Sequence, residues 1–213
     1  MAVRGLPAPW RRLPAPAGDP DAALLARVRA GEEAAFMELV RRHEAALLRL
    51  ARSYVPSAAV AEEVAQETWL AVLRGLDGFA GRSSFKTWLF QILVNRARTT
   101  GVRERRSVAV DAGPSVDPGR FDSGGAWSAP PRHWVEEIEE RLSAGALAPA
   151  IDAALAGLPP SQREVVLLRD VDGLSAPEVC QVLELSDANQ RVLLHRGRTR
   201  LREAIEGELG GGI

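Results

Sequence analysis

The chain has 213 residues, 46% of them hydrophobic, a formal net charge of −1 and a single cysteine. No apolar run approaches the roughly 20 residues that a membrane helix needs, and one cysteine excludes a disulfide framework or a cysteine-based zinc site. The Pro- and Ala-rich stretch 1–20 lacks the continuous apolar core of a signal peptide, so the default expectation is a cytoplasmic protein with a disordered leader.

Beyond the leader, the apolar spacing predicts helices. Asp21 can cap a short helix through Ala30, which Gly31 breaks. The next helix carries Phe36, Leu39, Val40, His43, Leu47, Leu50 and Tyr54 on one stripe. Pro56 and Ser57 punctuate before a third helix that ends near 75–78, and Ser83 or Ser84 caps a fourth that runs to about Arg103. Residues 107–131 are full of Gly, Pro, Ser and Asp without periodicity. That composition cannot bury enough apolar area to offset the entropy of ordering, so it reads as a linker, continued to 146, rather than as the interior of one domain.

The second half predicts four shorter helices: one before Gly157, one over about 160–170, one from Ser175 and one from Ser186 to about Glu206. Ser175 and Glu178 have the spacing of a capping box. Two helices joined by so short a turn are a helix-turn-helix, whose second helix enters the DNA major groove. Alternating strand patterns are missing from both halves. The expectation is an all-α chain of two small helical domains, 21–106 and 147–208, joined by the flexible linker 107–146, with a tail at 209–213.

Charge is unevenly spread. Residues 82–106 hold Arg82, Lys86, Arg96, Arg98, Arg103, Arg105 and Arg106 against Glu104 alone. Residues 186–202 hold Arg191, Arg196, Arg198, Arg200 and Arg202 against Asp187 alone. Two separated basic patches in a neutral chain suggest two contacts with a polyanion; the plainer reading is a pair of solvated helix faces.

On the last helix, Leu193, Leu194, Gly197, Leu201, Ala204 and Ile205 share one arc and must face the core. Arg191, Val192, His195, Arg196, Arg198, Thr199 and Arg202 share the other, which suits reading of base edges near the helix start and phosphate contact further along. On the third helix, Glu62, Glu63, Gln66 and Glu67 fall within an arc of about 140° with Leu70 among them. An acidic face carrying a large apolar side chain fits a protein partner better than DNA, the plainer alternative being a solvated helix with one exposed Leu. In 79–98, Phe79, Phe85, Trp88 and Phe90 alternate with Arg82, Lys86, Arg96 and Arg98. Aromatic faces stack on unpaired bases while cations track the backbone. Since aromatics at helical spacing are more often core, Phe85 and Trp88 are expected to be substantially buried and 78–84 to receive the base. Cys180 reads as a small buried side chain.

These residues resemble a family. Gln66-Glu67-Thr68-Trp69-Leu70, Gly81 through Leu89, and Asn95-Arg96-Ala97-Arg98 are similar to the second conserved region of extracytoplasmic-function sigma factors. Leu158 through Val165, Leu168-Arg169-Asp170, Gly173-Leu174-Ser175, Glu178-Val179 and His195-Arg196-Gly197-Arg198 resemble that family's fourth region. The resemblance implies a transcription initiation factor rather than an enzyme. Glu62, Glu63, Gln66, Glu67 and Leu70 would meet core RNA polymerase. Arg82, Ser83, Ser84, Phe85, Lys86, Trp88, Asn95 and Arg96 would melt and capture the −10 element of promoter DNA. Ser186, Arg191, His195, Arg196 and Arg198 would read duplex at the −35 element. No cofactor is required of the chain itself, and an anti-sigma protein is a partner at family level.

Two departures stand out. Glu184 occupies a place where the family often has Gly, tolerable if the backbone there avoids positive φ. Asp187 at the helix start suits the dipole but would repel a phosphate. A helix-turn-helix regulator that never joins polymerase is the alternative; it leaves 66–70 and 79–98 without a role. A di-iron enzyme fails because none of the three histidines has a Glu three residues before it.

Overall fold

The computed structural model describes residues 18–105 and 148–210. The sequence readings that concern the leader to residue 17, the linker with Trp127 and Trp134, and residues 211–213 lie outside the described residues. Every regular element among the described residues is helical. In chain order these are α1 (Ala22–Arg29), α2 (Glu33–Ala51), α3 (Ala58–Gly75), a 3-10 turn (Leu76–Gly78) and α4 (Phe85–Arg105). Then come α5 (Ala148–Gly157), α6 (Pro160–Val166) with one π turn (Leu167–Val171), α7 (Ala176–Leu183) and α8 (Asp187–Gly210).

The helix boundaries follow from local chemistry. Gly31 takes φ +87° between α1 and α2, a conformation that a Cβ disfavours. Ser57 caps α3 by accepting from the Val60 amide at 3.2 Å. Ser84, not Ser83, caps α4, accepting from the Thr87 amide at 3.2 Å. Asp21 corrects the sequence reading. It sits at the start of α1, but its side chain makes no cap bond there. It turns inward to 1% exposure and accepts from Arg42 Nη1 at 2.7 Å and His43 Nε2 at 2.8 Å. A carboxylate without water needs such partners, and α2 supplies both.

The described residues fall into two compact units, 18–105 with 174–185 and 148–173 with 186–210. In the first, Leu39, Leu47, Leu50, Val64, Val72, Phe85, Leu89, Phe90 and Leu93 are almost fully buried between α2, α3 and α4. Each such side chain contributes about 1.5–3 kcal/mol. Phe36 and Val40, expected on the same stripe, are half-buried. Gly101 lets α4 pass the backbone of Tyr54, whose carbonyl oxygen would lie 2.7 Å from an added Cβ.

α7, expected with the C-terminal helices, groups with the first unit because its ends bond to α4 and the loop before it. Glu178 Oε1 accepts from Ser84 Oγ at 3.0 Å and Thr87 Oγ1 at 2.7 Å. At the other end of α7, Arg98 Nη2 donates to the Leu183 carbonyl at 2.9 Å.

The second unit packs α5, α6 and the π turn on α8 through Leu155, Leu158, Val165, Val166, Leu168 and Leu194. Arg163 gathers the free carbonyls at the end of α5, donating to Leu155 at 2.7 Å, Leu158 at 3.0 Å and also Ala156. Burial lowers the pKa of its guanidinium. Gly197 lets α8 approach α6, since an added Cβ would stand 2.7 Å from Val166 Cγ2.

Candidate functional site

Three surfaces carry the residues that the sequence singled out. On α3, Glu62, Glu63, Gln66, Glu67 and Leu70 are all exposed, Leu70 at 49%. The opposite side buries Val64, Ala65, Thr68, Trp69 and Val72, while Ala71 is half-buried. Trp69 is anchored by its indole N–H to Glu44 Oε2 at 2.7 Å and by an edge contact with Phe36. Leu73, three residues beyond Leu70, and Met37 on α2 are also exposed large apolar residues. Sequence reasoning missed both; the i, i+3 spacing to Leu70 was the available signal for Leu73.

The second surface is the loop 78–84 with the start of α4. Phe85 is fully buried, its ring against Phe79, Trp88 and His43 at centroid distances of 6.2, 6.0 and 5.8 Å. Its ring therefore supports the loop and is not itself offered to a base. Phe79 and Trp88 stack at 4.8 Å and keep partial exposure. Arg82 and Asn95 are exposed, and Ser83, Ser84, Lys86, Trp88 and Arg96 are half-buried. Lys86 Nζ lies 5.8 Å from the centroid of the Phe90 ring, a cation–π approach. The Ser84 hydroxyl is engaged by Glu178. Burial raises the pKa of that carboxyl, but hydrogen bonds from Ser175, Thr87 and Ser84 outweigh it and hold the group below its ordinary range.

Beside this loop lies a pocket of about 460 Å³, lined by Asp19, Ala22, Leu25 and Arg29 and by Asp77, Phe79, Gly81 and Ser83. Arg29 Nη2 donates to the carbonyls of Phe79 at 2.8 Å and Leu76 at 3.3 Å. Asp19 Oδ2 accepts from the Phe85 amide at 2.6 Å. Asp19 and Arg29 were not legible as site residues. They stand 66 and 50 residues from their partners, and 19 fell inside the expected leader, where its bond from the Phe85 amide holds it.

The third surface is α8. Ser186 caps it, accepting from the Asn189 amide at 3.2 Å. Arg191, Val192, Arg196 and Arg198 are exposed and His195 is half-buried. Thr199, expected on the same arc, is buried and donates to the His195 carbonyl at 3.1 Å. Three arginines pair with acids of their own unit. Arg191 meets Asp187, Arg202 meets Glu206 at 2.6 Å, and Arg198 holds Asp170 through two bonds of 2.9 and 2.6 Å that raise its pKa. Exposed pairs of this kind contribute about 0–1 kcal/mol, so a phosphate can displace the carboxylate at small cost.

The turn before α8 departs from expectation. Glu184 adopts φ +59° and ψ +41°, the left-handed region that the sequence reading required it to avoid. The conformation costs a non-glycine residue about 1–2 kcal/mol. It lets the Glu184 amide bond the Cys180 carbonyl and close α7. Cys180 itself is half-buried, not buried.

Known proteins match both helical halves of the chain. The Sigma-70 region 2 family matches residues 39–107, and the Sigma-70, region 4 family matches 149–201. The ECF RNA polymerase sigma-E factor of Escherichia coli K12 is 31% identical over 186 residues, 87% of this chain and 94% of that protein. The RNA polymerase sigma-H factor of Pseudomonas aeruginosa is 27% identical over the same shares. Among solved structures, CnrH in complex with the cytosolic domain of CnrY aligns with a TM-score of 0.56 at 28% identity, over 89% of this chain and 99% of that one. The sigma factor RpoE bound to the anti-sigma factor NepR from Bartonella quintana also aligns at 0.56, with 21% identity, over 80% and 96%, a likeness of fold.

Proposed function

The chain belongs to the extracytoplasmic-function sigma factors of the sigma-70 family, and from that membership we propose that its three exposed surfaces divide the work of promoter recognition. As a sigma factor it directs promoter-specific transcription with RNA polymerase. The face of α3 with Glu62, Glu63, Gln66, Glu67 and Leu70 docks on core polymerase. Loop 78–84 and the start of α4, with Arg82, Ser83, Lys86, Trp88, Asn95 and Arg96, capture the opened −10 strand, and Phe85 holds the loop from beneath. Ser186, Arg191, His195, Arg196 and Arg198 on α8 read the −35 duplex.

In this reading the chain makes and breaks no covalent bond and needs no cofactor; its contribution is binding energy directed at promoter DNA in the cytoplasm. Partners beyond polymerase and DNA include an anti-sigma protein, a partner at family level; the similar CnrH forms a complex with the cytosolic domain of CnrY.

The observation that carries the proposal is Leu70, half exposed among four polar and acidic neighbours on a helix whose opposite side is core. A regulator that only binds DNA has no use for that face. The test is transcription in vitro with purified bacterial core polymerase on a library of promoter fragments, with and without the protein. Specific new transcripts that depend on the protein support the assignment and yield both promoter elements. Silence across the library, with duplex binding retained, overturns it in favour of a helix-turn-helix regulator.

A further inference from the structure

The acids that pair with the arginines of α8 do not pair alike. Asp170 spends both carboxylate oxygens on Arg198, at 2.9 and 2.6 Å. Glu206 meets Arg202 in the C-terminal part of the helix. Asp187 is the first residue of α8, is exposed, and bonds Arg191 one turn on through Oδ2 alone. Its Oδ1 accepts no bond from the described residues. At about 100° per residue Asp187 stands about 40° from Arg191, so the two side chains share one face. Arg191 likewise commits Nη2 alone and keeps the rest of its donors. The first turn of α8 thus presents an acceptor oxygen and guanidinium donors side by side.

The opening turn of a recognition helix is the part that meets base edges. A carboxylate carried into the major groove loses water and stands between two rows of phosphates, a cost that only a hydrogen-bond donor offsets. In duplex DNA, cytosine N4 and adenine N6 turn an amino hydrogen towards that groove. Guanine turns only O6 and N7 there, its own amino group lying in the minor groove, and thymine turns O4 and a methyl group. An acceptor facing a carboxylate leaves no proton between them. Resting on the reading that α8 reads the −35 duplex, we infer that Asp187 is a specificity-determining residue of that contact, selecting cytosine or adenine at one position through Oδ1. Arg191 holds the other oxygen, which fixes the aim of the carboxylate and offsets its charge against the phosphates. An acid unsuited to a phosphate contact thereby acquires a role in the groove.

The test uses holoenzyme assembled from core polymerase and the full chain, on a promoter recovered from the transcription library. Duplex probes carry each of the four base pairs in turn at every −35 position, and competition gives their relative affinities. At one position, cytosine or adenine on the contacted strand is preferred over guanine and thymine about tenfold, as a hydrogen bond to a charged group requires. N4-methylcytosine or N6-methyladenine at that position keeps the pairing hydrogen, puts a methyl group in place of the groove-facing one, and weakens binding to the same extent. Asp187→Ala levels the four base pairs at that position. Asp187→Asn, whose amide adds a donor, gains binding to the guanine and thymine probes. A role confined to starting the helix would weaken every probe alike and single out no position. Circular dichroism melts check that both variants are folded.

A preference for guanine or thymine at the position that Asp187→Ala levels overturns the inference while leaving base reading by α8 intact. So does a set of −35 preferences that Asp187→Ala leaves unchanged at every position, or weakens uniformly. An amine preference that methylation does not disturb has the same consequence. Indifference of the holoenzyme to every −35 base pair overturns the −35 reading of α8 itself and the inference with it.

Discussion

Arg96 Nη1 donates to Glu67 Oε2 at 2.8 Å, so a residue assigned to DNA and a residue assigned to polymerase share one ion pair between α4 and α3. The side chains retain 33% and 50% exposure, which places the pair among those that contribute about 0–1 kcal/mol to folding. Its interest is the adjacency of the two surfaces. Arg96→Ala is expected to leave the melting temperature nearly unchanged and core affinity intact, and to slow open-complex formation followed by permanganate footprinting. Glu67→Ala is expected to weaken core binding. Equal losses of core affinity in both variants would assign the whole pair to the polymerase surface.

Leu70 tests the α3 face most directly. Half exposed and outside the core, it can be exchanged for Asp without opening a cavity. Leu70→Asp is expected to abolish binding to core polymerase in gel filtration and to shift stability by no more than about 0.5 kcal/mol. Retained binding would remove this face from the polymerase contact.

Arg191 is exposed one turn into α8 and paired with Asp187 on the same helix. Arg191→Ala is expected to cost about 1–3 kcal/mol of discrimination between promoter and mutated −35 duplex, with a smaller loss on random duplex. Fluorescence anisotropy against both probes over a salt series separates the two effects. Equal losses, with a shallower salt dependence, would make Arg191 a phosphate contact.

Asp21 makes stability depend on acid pH. Burial pushes its carboxyl pKa up, but the hydrogen bonds and charges of His43 and Arg42 prevail and hold it below the usual carboxylate range. A carboxyl depressed in the folded state takes up its proton more readily in the unfolded one. Its stabilising contribution is thus complete above its ordinary range and is lost as pH falls through the depressed folded value. Asp21→Ala leaves His43 buried without its carboxylate and is expected to cost about 3 kcal/mol at neutral pH. Urea unfolding from pH 7 to pH 3 should lose more stability in the native chain than in Asp21→Ala; parallel curves would show that Asp21 does not set the acid limit.

Helix positions, the break at Pro56 and Ser57, a serine cap at 83 or 84, the capping box at Ser175 and Glu178, and the exposed faces of α3 and α8 were legible in the chain alone. All of them rest on interactions within one or two helical turns, where sequence spacing and spatial spacing coincide. The aromatic spacing also placed Phe85 in the core, where it lies, whereas Trp88, expected with it, is half-buried. The limit of periodicity shows at Thr199, which shares an arc with the arginines proposed to meet DNA yet is buried. A helix wheel records angle, not which neighbours rise beside it.

What only the tertiary structure decided are the meetings between distant segments. Asp19 ends against Phe85, Arg29 against Phe79, Asp21 against His43, Arg198 against Asp170, and Glu178 against Ser84 and Thr87. No spacing rule links residues that stand 22 to 94 positions apart. The bond of Asp21 to His43 forms because packing of the apolar faces brings two polar groups out of water, and a polar group without water must then find a partner. The local pattern thus determined the helices, the family and the general place of each surface. The geometry of the loop, and the carboxylates that line its pocket, came from the way those helices pack.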